Sequence, residues 1–166
     1  MDSNSIFSLL EKASVYSDQS AMNQLQYLSN ADQRIEAKGF ALSLITILQT
    51  SHSNSSSSIR PESRLMAAII MKNLVKNMWV TRSKSSIDDP DKLIIRNFII
   101  NHLGESDNRV ATQLALTAAK ICRHDWPLQW PDVLSRVYEH ILNENDMIKL
   151  RAMNMLHEIL LELTSR

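Results

Sequence analysis

The sequence predicts an all-α protein, and three observations carry that prediction. Glycine and proline are scarce, at two and four in 166 residues. Strand-rich folds need many turn residues, so this scarcity favours long helices joined by brief loops. Apolar residues recur at helical spacing through most of the chain, and the polar segments between them place Ser, Asp, Asn or Pro where a helix would begin.

Taken in order, Ile6, Leu9, Leu10 and Ala13 form the first stripe at i, i+3, i+4, i+7. Ser17 and Asp18 offer an N-cap for a second helix carrying Met22, Leu25 and Leu28. A third is expected from about Ile35, with Phe40, Leu44, Ile45 and Leu48. Gly39 would lie inside it, at a cost of about 1 kcal/mol relative to alanine, which a close helix approach would explain. Ser51 to Ser58 is a low-complexity polar segment and reads as a mobile loop. Pro61 suits the first turn of a long fourth helix, PESRLMAAIIMKNLVKNMWV, whose apolar residues cover more than one face and predict packing on two sides.

After a second polar connection, SKSSIDDPDK, Asp89 and Pro90 start a fifth helix with Leu93, Ile94, Phe98 and Leu103, closed by Gly104 as a left-handed cap. Ser106 and Asp107 cap a sixth, with Val110, Leu114, Ala118 and Ile121. Pro131 opens a seventh, with Leu134, Val137, Tyr138 and Ile141. Asn143, Asn145 and Asp146 precede an eighth, with Leu150, Met153, Leu156, Leu160 and Leu163.

Eight helices make about four antiparallel pairs. The second helices start near Asp18, Pro61, Ser106 and Asp146, a recurrence of roughly 40–45 residues that matches HEAT and armadillo repeats. The reading is an α-α superhelix, a HEAT-repeat solenoid, divided near 1–30, 31–84, 85–126 and 127–166. A non-repetitive helical bundle is the alternative. The last apolar stripe reaches nearly to Arg166 with no polar closing repeat, and solenoids need solubilising caps. The expectation is therefore an N-terminal fragment of a longer protein.

The segment CRHDWPLQWPDVL holds two of the three tryptophans and two of the four prolines. Pro127 disfavours helix at Trp126, and Pro131 pre-sets the first turn of the next helix. A tight corner follows, with Trp126 and Trp130 available to fold over the two helix ends.

Charge and chemistry exclude several classes. The net charge is zero, which argues against nucleic-acid binding and against an anionic membrane surface. The lone cysteine, Cys122, allows no internal disulfide and fits a reducing compartment. The N-terminus lacks the basic and apolar regions of a secretory signal. The histidines are scattered, and two glycines cannot build a phosphate-cradling loop. Cys122 and His124 are two apart on a helix and diverge. No enzyme, cofactor or metal site is expected.

Two segments carry a family resemblance. HDWPLQWPDVL resembles the dWP-x-QWP-x-LL signature of the importin-β (karyopherin-β) N-terminal region. RLMAAIIMKNLVKNMW resembles that family's R-x-x-AA-I-x-LKN-x-V-x-x-x-W helix, through Arg64, Ala67, Ala68, Ile70, Lys72, Asn73, Val75 and Trp79. EAKGF is similar to the family's PGF, with Lys38 in place of proline. SAMNQLQYL departs from the acidic motif of the first repeat. The tryptophan spacing is most similar to the branch containing the importin eleven type.

The resemblance implies a HEAT-repeat nuclear transport receptor. Its N-terminal repeats would bind the small GTPase Ran in its GTP form through concave helices. Cargo proteins and nucleoporins would engage repeats further along. It would be found in cytoplasm and nucleus and at the nuclear pore, with no membrane insertion. The alternatives are an exportin-type receptor or a static HEAT scaffold indifferent to nucleotide. Between 60 and 84 the cations stand at 60, 64, 72, 76, 82 and 84 against the single acid Glu62. The candidate Ran contacts are Lys72, Asn73, Lys76, Lys120 and Arg123, of which only Lys72 and Asn73 fall on the family motif.

Overall fold

The computed structural model describes residues 3–29, 39–50, 59–80 and 87–165. All regular structure among them is helical: α1 Ser3–Val15, α2 Gln19–Leu28, α3 Phe40–Gln49, α4 Pro61–Met78, α5 Asp89–Asn101, α6 Asn108–Asp125, α7 Val133–Ile141 and α8 Asp146–Thr164. The chain forms two compact units, Met1–Ile95 and Arg96–Arg166. The low-complexity stretch 51–58, the expected helix start at Ile35 and the cations at 82 and 84 lie outside the described residues.

In the first unit α1 packs against α2, α3 and α4, and α3 packs against α4. The cap on α2 forms because the Asp18 carboxylate accepts the amide hydrogens of Ser20 and Ala21 at 2.8 and 3.2 Å. Helix α4 is gripped on two sides, as its sequence implies, and buries Ala67, Ala68, Met71, Leu74 and Val75. Each fully buried side chain of Leu or Met size stabilises by about 1.5–3 kcal/mol. Polar contacts also lie inside this unit. Ser14 and Ser63 hydroxyls meet at 3.0 Å, and the buried Arg64 donates from Nη2 to the carbonyl of Leu48 at 3.0 Å.

In the second unit α8 packs against both α6 and α7. Asp107 caps α6 by accepting the Arg109 amide at 2.8 Å, and Asn145 caps α8 by accepting those of Met147 and Ile148. Val110, Leu114, Ala118 and Ile121, the stripe expected of α6, are all buried. The Arg96 guanidinium on α5 donates to Asp125 at the end of α6, from Nε at 2.9 Å and Nη2 at 2.6 Å. Arg136 on α7 donates to the side-chain carbonyls of Asn97 and Asn101 on α5.

At the corner, α6 stops at Asp125 and Trp126 is extended, as a residue before proline must be. The Trp126–Pro127 bond is cis. The Asp125 carbonyl accepts the amides of Gln129 and Trp130 at 2.6 and 3.1 Å. Trp130 is buried, Trp126 is half-buried, and Pro127, Leu128 and Pro131 are exposed.

Several local expectations are corrected. Gly39 is not inside α3 but immediately ahead of it, at φ +79°, and a Cβ there would meet nothing within 4 Å. Its role is conformational freedom at the helix entry, not close approach. Gly104 does not adopt positive φ. Helix α5 ends three residues earlier, at Asn101, and a turn leads to Gly104. Helix α7 begins at Val133, two residues after Pro131. The buried faces also differ. Helix α5 buries Ile95, Phe98, Ile99 and Ile100 and exposes Leu93 and Ile94. Helix α8 buries Ala152, Met155 and Ile159 and exposes Leu150, Met153 and Leu160. Met22 and Tyr138 are exposed as well. Helices α5 and α8 each carry two apolar stripes, and period alone does not say which one meets a neighbour.

Candidate functional site

The candidate residues fall into two sets, one in each unit. Lys72, Asn73 and Lys76 belong to α4, a helix nucleated by Pro61 at its first turn and held by its small and apolar residues against α1 and α3. Spacing of three and four places the three side chains together on the helix surface. Lys72 is half-buried, and Asn73 and Lys76 are exposed. Among the described residues none of the three makes a hydrogen bond or an ion pair. Nearby cations behave differently. Arg64 is internal, and Arg60 approaches Glu11 at 3.6 Å. Trp79 is buried behind the end of α4, with Lys92 Nζ 5.7 Å from its ring centroid.

Lys120 and Arg123 belong to the last turns of α6, and the structure brings both onto one carboxylate. Glu162 on α8 accepts from Lys120 Nζ at Oε2, 2.7 Å, and from Arg123 Nη1 at Oε1, 2.9 Å. Arg123 Nη1 also reaches the Ser165 hydroxyl at 3.4 Å. The hydrogen bond from Lys120, reinforced by that from Arg123 and by both charges, holds the Glu162 carboxyl below the usual carboxylate value in spite of its burial. Glu162 was not among the residues singled out from sequence. Its distance from Lys120 along the chain, 42 residues, hides the contact, which depends on how α6 and α8 are packed.

Burial, with a smaller contribution from the Asp125 charge, pushes the Cys122 thiol up to about 12, so it is a poor nucleophile at neutral pH. Among the described residues no group of three or more His, Cys, Asp or Glu is placed to hold a metal ion. No described helix is long and apolar enough to cross a membrane. The geometry offers basic and amide side chains on helical surfaces, which suits recognition of another macromolecule.

A family model, the Importin-beta N-terminal domain, matches residues 21–105, half of the chain. The chain belongs to the importin-β family. Similar proteins include human Importin-11, 26% identical over 103 residues, which cover 62% of this chain and 11% of that protein. They also include Exportin-2 of Oreochromis niloticus, 30% identical over 102 residues, which cover 60% of this chain and 10% of that protein. This importin-β family chain thus spans about a tenth of the length of these relatives. Among solved structures, Lph2, a bidirectional nuclear transport receptor of S. cerevisiae, aligns over 95% of this chain and 15% of its own, at a TM-score of 0.72 and 22% identity. The fold is accordingly that of the helical-repeat karyopherins.

Proposed function

We propose that this chain is the part of a nuclear transport receptor that binds Ran in its GTP form and couples that binding to cargo. The observation that carries the reading is the match of residues 21–105 to the importin-β N-terminal domain. The unpaired Lys72, Asn73 and Lys76 support it from the first unit, because they fall on or beside the family's motif and are open to a partner. Lys120 and Arg123 are the corresponding candidates in the second unit. Cargo proteins and nucleoporins engage surfaces outside this chain, and the receptor moves between cytoplasm and nucleus through the pore. Coupling is reciprocal: the factor by which Ran changes cargo affinity is the factor by which cargo changes Ran affinity.

The test compares Ran-GTP with Ran-GDP as ligands. Binding selective for GTP is the expected result. Equal binding of both forms, or of neither, rejects the reading in favour of a static scaffold. Lys72→Glu with Lys76→Glu should weaken Ran-GTP binding about tenfold, since reversing charges at an interface creates repulsion where there was steering. Helical circular dichroism should be unchanged. A second reading, an exporter, is favoured by the 30% identity to an Exportin-2. It predicts that Ran-GTP strengthens cargo binding, whereas an importer releases cargo.

A further inference from the structure

We draw no further inference here: the strongest candidate, the exposed apolar stripe of Leu150, Met153, Leu160 and Leu161 on α8, is an unpartnered helix face, and nothing in the structure shows what covers it.

Discussion

The two units handle their charges differently. In the first, α4 presents Lys72 and Lys76 with no ionic or hydrogen-bonded partner among the described residues, and the helix is held by apolar packing, by the contact of Ser14 with Ser63 and by the buried Arg64 on the carbonyl of Leu48, with no carboxylate on Lys72 or Lys76. In the second, basic side chains tie helices together: Arg96 to Asp125, Lys120 and Arg123 to Glu162, Arg136 to Asn97 and Asn101. The contrast teaches that a basic residue on a helix surface is not automatically a binding residue. Where a neighbouring helix supplies a carboxylate, the same side chain is engaged within the molecule.

The comparison breaks most readily at Asp125. Its side chain is 8% exposed and Arg96 is 13% exposed, so Asp125→Ala strips a buried guanidinium of this carboxylate. The loss should be about 3 kcal/mol, read by urea unfolding with tryptophan fluorescence reporting on the adjacent corner. A loss near zero would mean that the ion pairs of the second unit are incidental.

Glu162→Gln comes next, at about 1 kcal/mol after discounting for the solvent-exposed cations it binds. The pH dependence has a definite sign. The carboxyl is held below its ordinary value in the folded state, so its stabilisation is present above the unfolded value and is lost as pH falls through the folded one. Urea midpoints of wild type and variant should therefore differ at neutral pH and converge in acid. Divergence in acid would refute the bridge.

Neutralising Lys72 and Lys76 to Gln should change stability by less than about 0.5 kcal/mol in the same assay, because no described group depends on them. A larger loss would erase the distinction between the units. The smallest effect concerns Cys122. With its thiol buried and pushed up to about 12, alkylation by iodoacetamide in the native state should be very slow at about pH 7 and should still be rising with pH, without levelling off, at about pH 9. Unfolded in urea, the same thiol should react faster as it titrates normally.

How far the fold could be read ahead depended on the kind of signal. Caps were legible because they are local: Asp18, Asp107 and Asn145 each bond to amides two or three residues away. The stop at Trp126 was legible because proline constrains the residue before it. The faces of α5 and α8 were not. Ile94 and Ile95 are adjacent and equally apolar, yet one is exposed and the other buried. Gly39 was misplaced because a glycine inside a helix and a glycine ahead of one leave the same mark in the sequence. Glu162 was missed because nothing near it in the chain marks its partners.

The sequence by itself determined that the chain is helical, where most helices begin, and which family it belongs to, because periodicity, capping and motif residues act over a few positions. Tertiary structure decided which stripe of each two-striped helix is buried. It also decided that Arg64, Lys120 and Arg123 are engaged within the molecule while Lys72 and Lys76 are not. Those outcomes depend on which helix lies alongside, and contacts between residues some 40 positions apart, such as Lys120 with Glu162, leave no periodic trace in the sequence.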